Sequence, residues 1–270
     1  MIRDITLGQY YPAKSVIHRM DPRVKIIGTF IYIVSLFIVN NLIGYLLAAL
    51  FLVFAISLSK VPVKFMLKGM KSIAVLLLFA TVFNIFLTPG EIIWSWWKLS
   101  ISKEGLLTAS QMAVRLAFLV IGSSIMTLTT TPNNLTDAIE SVLKPLKVIK
   151  VPVHEIAMMM SIALRFIPIL LEETDKIMKA QLARGADFES GNIFKRAKNM
   201  VPILVPLFIS AFRRANDLSM AMEARCYRGG DGRTKMKPLK YQKADALAYL
   251  VLVAYLAGCI LLRIFGQYVI

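Results

Sequence analysis

Five stretches of this chain are long and apolar enough to cross a lipid bilayer, which leaves few folds open. They run at about Val24–Val39, Leu42–Leu58, Ser72–Thr88, Gly105–Thr130 and Ala246–Phe265. A spanning helix takes roughly 20 mostly apolar residues, within a range of about 17 to 25. None of the five contains Asp or Glu, and Arg115 and Arg263 are charges inside them. The chain is 57% hydrophobic yet carries a formal net charge of +16. Those two facts conflict in a soluble domain but agree in a membrane protein whose charge is confined to one side. The expected fold class is an all-α integral membrane protein, with about five transmembrane helices and long amphipathic cytoplasmic helices. Met1 to Lys25 is polar and basic, with no short apolar run before a small-residue cleavage site, so it does not read as a signal peptide.

Lysine and arginine set the orientation. Arg3, Lys14, Arg19, Arg23 and Lys25 lie in the leader up to the very start of the first span, and Lys60, Lys64, Lys68 and Lys71 follow the second, so both groups belong in the cytoplasm. The Asn40-Asn41 turn between them is uncharged. Pro89 to Glu104 carries Trp94, Trp96 and Trp97 with charges balanced in sign, as in an outer interfacial belt. The N-terminus is then cytoplasmic and the C-terminus outside. Residues 1–130 form a membrane region of four spans, 131–243 a cytoplasmic module of three amphipathic helices, and 244–270 the last span.

The cytoplasmic module repeats a word. Two long amphipathic helices end on Ala-x-x-Ala-Arg, first as Ala180 to Arg184 followed by Gly185, then as Ala221 to Arg225 followed by Cys226. Counting back in sevens from Arg184 meets Ile177, Leu170 and Ala163; from Arg225 it meets Leu218, Ala211 and Leu204. Each arginine therefore continues an apolar stripe, since a seven-residue step drifts only about 20°. Gly185 suits a left-handed helix cap, and Gly229 to Gly232 is expected to stop the second helix near Tyr227. Pro168, Pro202 and Pro206 predict kinks. The apolar halves of both helices read as too short and too mixed for ordinary spans, and are expected to lie along the inner membrane surface. Met158, Met159 and Met160 read equally as core filler or as an adaptable contact surface.

These residues resemble a known family. Ala183-Arg184-Gly185 paired with Ala224-Arg225-Cys226, Arg165 to Pro168, Phe212 to Ala215, and Asp21-Pro22-Arg23-Val24-Lys25 are similar to the transmembrane T component of energy-coupling-factor (ECF) vitamin transporters, over essentially the whole chain. The resemblance implies a scaffold that joins two ABC-type ATPases, of the EcfA and EcfA-prime kind, to a small membrane-embedded S component that binds the substrate. It implies that Arg184 and Arg225, with their neighbours, dock into the ATPases at the ends of coupling helices. Met158, Met159, Met160 and Pro168 are the expected S-component contact. This chain is expected to bind no cofactor, with ATP and magnesium acting on the partner ATPases, and to sit in a prokaryotic cell membrane. Cys226 departs from the family, where many members carry Gly or Ala.

Other classes fit less well. An arginine in a last helical turn also complements the helix dipole, by about 0.3 to 1 kcal/mol, but two copies on apolar stripes favour docking. No Gly-x-x-x-x-Gly-Lys-Ser/Thr phosphate loop is present, so ATP hydrolysis is not expected of this chain. An intramembrane lipid or prenyl transferase would call for carboxylates or a metal site at ligand spacing; Asp137, Glu140, Glu155, Glu172, Glu173 and Asp175 form no Asp-rich pair of that kind. A secondary carrier would show repeated halves and mid-bilayer charge. Arg115 reads as a substrate-path residue, a partner of a backbone carbonyl, or a snorkelling side chain. The basic excess suits orientation and anionic lipid, without nucleic acid.

Overall fold

The computed structural model describes residues 10–96, 99–188, 192–230, 234–236 and 238–266. Their elements are α1 (Val16–Arg19), α2 (Pro22–Ile38), α3 (Leu42–Ser59), α4 (Val63–Leu87), β1 (Ile92–Trp96), β2 (Leu99–Ser102), α5 (Lys103–Thr129), α6 (Pro132–Leu143), a 3₁₀ turn (Lys144–Ile149), α7 (Val153–Ala183), α8 (Ile193–Ala224) and α9 (Lys243–Gly266). The chain divides into two compact units, one of residues 8–139 and 239–270, the other of residues 140–238.

In the first unit, α2, α3, α5 and α9 pack around an aromatic and aliphatic core. Phe51 stacks on Tyr255 with centroids 4.3 Å apart, and Tyr32 joins the stack. Leu36, Ala48 and Cys259 are fully enclosed. A Cβ at Gly122 would overlap the Tyr32 ring, so α5 approaches α2 as closely as it does only with glycine there. Two polar groups of the core pair with each other, as apolar surroundings favour: Ser35 Oγ and Tyr255 Oη lie 2.7 Å apart. The outward faces are apolar instead of polar, with Phe30, Leu42 and Val75 each at least two-thirds exposed. That inversion is what lipid demands.

Span length and composition are met by α3, α5, α7 and α9, and by α4 when its two arms are taken together. α2, with 17 residues, is at the short end of what crosses a bilayer. Two features differ from the sequence reading. Lys60, Lys64, Lys68 and Lys71 do not form a turn before the third span; all but Lys60 lie in the first arm of α4, which bends by 59° between Lys71 and Ile73. Gly69 and Ser72, residue types at which helices break, lie at the bend. α7 also qualifies as a span, because its long run of Ile, Leu and Met outweighs Glu155 and Arg165.

The belt between α4 and α5 contains a two-stranded hairpin, in which Trp94 pairs with Ile101 and Trp96 with Leu99. Aromatic and β-branched residues favour this pleat over helix. Trp97 and Lys98, read as part of that belt, lie outside the described residues, as does Arg3 of the basic leader. Ser102 closes the hairpin: its Oγ donates to the Thr88 carbonyl and accepts from the Gly105 N–H, which caps α5.

The Asp21–Lys25 word forms a buried clasp. Asp21 caps α2 by accepting from the Arg23 N–H at 2.9 Å, and Pro22 occupies the first helical turn, where its missing N–H costs nothing. Asp245, 1% exposed, accepts from the backbone N–H of Asp21 at 2.9 Å and of Gln242 at 2.7 Å, joining the starts of α2 and α9. The Arg23 guanidinium binds the Asp21 carboxylate and lies 3.8 Å from the Tyr241 ring centroid. Lys25 donates to the Thr129 carbonyl, one of the acceptors that α5 leaves open at its end. Burial works against the Asp21 charge, but the Arg23 hydrogen bonds and the Lys25 charge hold its carboxyl below its ordinary value.

Arg115 acts on this unit from within α5. Its guanidinium donates to Tyr45 Oη at 3.1 Å, the Val39 carbonyl at 3.3 Å and Asn40 Oδ1 at 3.1 Å. It therefore supplies donors to the C-terminal end of α2, the carbonyl-pairing alternative among the three open readings.

Candidate coupling site

The two Ala-x-x-Ala-Arg words end their helices with the same hydrogen bonds. At the end of α7 the Gly185 N–H donates to the Leu182 carbonyl and the Ala186 N–H to the Gln181 carbonyl, both at 3.0 Å. At the end of α8 the Cys226 N–H donates to the Glu223 carbonyl at 2.8 Å and the Tyr227 N–H to the Met222 carbonyl at 3.0 Å. This is the Schellman arrangement, which needs one left-handed residue just past the helix. Gly185 takes that role at φ +83°, and Cys226 takes it at φ +54°. The sequence points to Gly185 as a cap; the second helix stops at Ala224 on Cys226, before the glycines expected to end it.

The cap explains the spacing. It places Arg184 and Arg225 at the last, half-helical position, while the chain turns away immediately after. Ala183, Arg184, Gly185, Ala224, Arg225 and Cys226 are all exposed. Neither guanidinium makes a hydrogen bond or ion pair among the described residues. A small alanine before each arginine leaves the side chain unobstructed.

α7 and α8 pack as an antiparallel hairpin. Arg214 Nη2 donates to Glu173 Oε2 at 3.0 Å, and Gln181 Nε2 donates to the Pro202 carbonyl at 3.4 Å. The second contact has a covalent origin. Pro206 lacks an N–H, so the carbonyl four residues before it, that of Pro202, has no helical donor. Gln181 fills the gap, and α8 continues through both prolines as one helix. Arg214 thus turns toward α7, whereas its neighbour Arg213 is exposed.

The heptad stripes follow this packing. Leu170 and Ile177 on α7, and Ala211 and Leu218 on α8, are half-buried, whereas Ala163, Leu204 and both arginines are exposed. Extending the Glu173–Arg214 register along the antiparallel pair puts Arg225 level with Ile162 on α7. At 1.5 Å per residue, the two tips then lie roughly 33 Å apart along the hairpin. They face opposite ends of the pair.

Of the other expected contact residues, Met159 and Met160 are exposed, Met158 is half-buried and Pro168 is exposed within α7. The sequence reading missed a larger surface on α8: Val201, Leu204, Val205, Phe208 and Phe212 are all exposed. Their helical spacing was the available signal, obscured by assigning Leu204 to the inward stripe.

Together these features define a class: a multi-pass helical membrane protein presenting two exposed cationic helix ends on one hairpin. A family model described as CbiQ, cobalt transport protein, matches residues 13–236. The energy-coupling factor transporter transmembrane protein EcfT of Clostridium kluyveri is 58% identical over 266 residues, covering 98% of each chain. Its counterpart in Ruminiclostridium cellulolyticum is 57% identical over 97% of this chain and 98% of its own, and that of Bacillus subtilis is 45% identical over 97% and 100%. The chain belongs to the family of energy-coupling factor transporter transmembrane proteins, the T components.

Proposed function

We propose that this chain is the scaffold and coupling subunit of an ECF-type ABC importer for a vitamin or other micronutrient. Arg184 and Arg225 each dock into a groove on one of two cytoplasmic ATPases, and the α7–α8 hairpin carries their motion to a membrane S component that holds the substrate. ATP and magnesium act on the ATPases; this chain hydrolyses nothing. In this reading α2, α3, α4, α5 and α9 cross the membrane while α7, for all its apolar length, stays at the inner face with α8, so that the N-terminus lies in the cytoplasm and the C-terminus outside. The exposed apolar residues Met159 and Met160 on α7, and at a separate level of the hairpin Phe208 and Phe212 on α8, are the two patches offered to the S component.

One observation carries this reading: two arginines, unpartnered among the described residues, on matching caps at opposite ends of a single hairpin. An arginine kept only for the helix dipole needs no repeated cap and no separation suited to two partners. The planar guanidinium stays charged and binds carboxylates or carbonyls through paired donors. Replacing both arginines with glutamate is expected to abolish co-purification of the ATPases and ATP-driven uptake. Retention of both would refute the assignment.

A further inference from the structure

The segment that follows the second tip does not trail away from the hairpin. Gly230 lies directly on the His154 ring, so closely that a Cβ there would overlap it. Lys235 Nζ donates to Glu140 Oε2 at 2.6 Å. The other oxygen of that carboxylate, Oε1, is 2.8 Å from His154 Nδ1. Glu140 belongs to α6, His154 to the first turn of α7, and Lys235 to the stretch after α8. One carboxylate thus ties the arm after Arg225 to the root of the opposite helix.

The electrostatics keep this carboxylate charged. Burial works against it, but the hydrogen bonds from Lys235 and His154 prevail and hold Glu140 below the ordinary glutamate range. His154 Nε2 is buried without a partner, so among the described residues the ring's hydrogen bond is the one to Glu140. The contact fixes the ring, and the ring supports Gly230.

Resting on the coupling role proposed above, we infer that Glu140 is a positioning residue for transmission: it fastens the arm that carries Gly230 and Lys235 to the α6–α7 corner, so that displacement of the Arg225 tip moves that corner. Without it, the displacement dissipates in the loop. Arg225 makes the contact with the ATPase, and Glu140 acts through the arm behind it.

The test uses the complete transporter reconstituted in liposomes with ATP, comparing wild type, Glu140→Gln, Lys235→Met and the exchange Glu140→Lys with Lys235→Glu. For Glu140→Gln and Lys235→Met, the ATPases are expected to co-purify as in wild type and hydrolysis to continue. Uptake per ATP hydrolysed is expected to fall about tenfold, the order set by loss of one charge-assisted hydrogen bond. The exchange should restore most of it. An unchanged ratio in Glu140→Gln, or a loss that Lys235→Met does not share, overturns the inference. Loss of the ATPases in Glu140→Gln also overturns it, because Glu140 would then support docking or folding; the role of the tips is judged separately by the arginine variants. Hydrogen exchange on the purified chain gives a second readout: amides of Tyr227–Gly230 should exchange about tenfold faster in Glu140→Gln while those of Thr174–Leu182 stay unchanged. No change at Tyr227–Gly230 likewise overturns it.

Discussion

The two matching caps respond in opposite directions to exchange of their left-handed residue. At Gly185 a Cβ would meet nothing within 4 Å, so replacement by alanine costs backbone strain alone. A left-handed conformation costs an L-residue roughly 1–2 kcal/mol. Gly185→Ala should therefore weaken the first cap by about 0.5–1 kcal/mol, because removing glycine's freedom from the unfolded chain returns roughly 0.5–1 kcal/mol of that strain. Cys226 already bears this strain at φ +54°. Cys226→Gly relieves it, less the roughly 0.5–1 kcal/mol that glycine's freedom in the unfolded chain takes back, for a net gain of about 0.5–1 kcal/mol. Hydrogen exchange of the capping amides reads both changes, since 1 kcal/mol is about fivefold in a local opening equilibrium. Gly185 and Ala186 should exchange about two- to fivefold faster in Gly185→Ala, and Cys226 and Tyr227 about two- to fivefold slower in Cys226→Gly. Faster exchange in Cys226→Gly, or no change in Gly185→Ala, would refute the strain argument.

Other regions give sharp outcomes too. Arg115→Leu removes donors from Tyr45, Val39 and Asn40 and should lower stability by about 1–3 kcal/mol; Arg115→Lys should not restore it, because the fork is lost. Thermal unfolding in detergent measures both. Asp245→Asn keeps the shape of the clasp but weakens its two charge-assisted bonds, and a loss of about 1–3 kcal/mol is expected in the same assay. Glu140 supplies the pH dependence. Its carboxyl is held low in the folded chain, so its contribution is complete above the unfolded value and disappears as pH falls through the lower folded one. The stability difference between wild type and Glu140→Gln should be full at about pH 5.5 and shrink once the pH drops below the ordinary glutamate value of about 4.3. A difference that grows over that acidification would contradict this.

The membrane helices were legible because uninterrupted apolar length is a strong one-dimensional signal, and acid-free spans such as Leu42–Leu58 reappear as α3 with little change. The lysine-bearing arm of α4 was not, because helix continues across the polar boundary and only the bend marks it. The tips were readable because Ala-x-x-Ala-Arg occurs twice, but the role of Cys226 was hidden: nothing in a lone cysteine announces positive φ. The clasp shows a different limit. Asp21 to Lys25 stood out in the sequence, yet their function depends on Asp245 and Thr129, more than a hundred residues away. Glu140 and His154 were visible as individual residues, and only the folded chain brings Lys235 to them.

The most direct measurement places a photoreactive residue at Ala186 and, separately, at Tyr227, beside the two tips, and irradiates the assembled transporter. Cross-links from the two positions should run to different ATPase subunits of the same complex. Cross-links confined to this chain, or both positions labelling one subunit, would contradict two-point coupling.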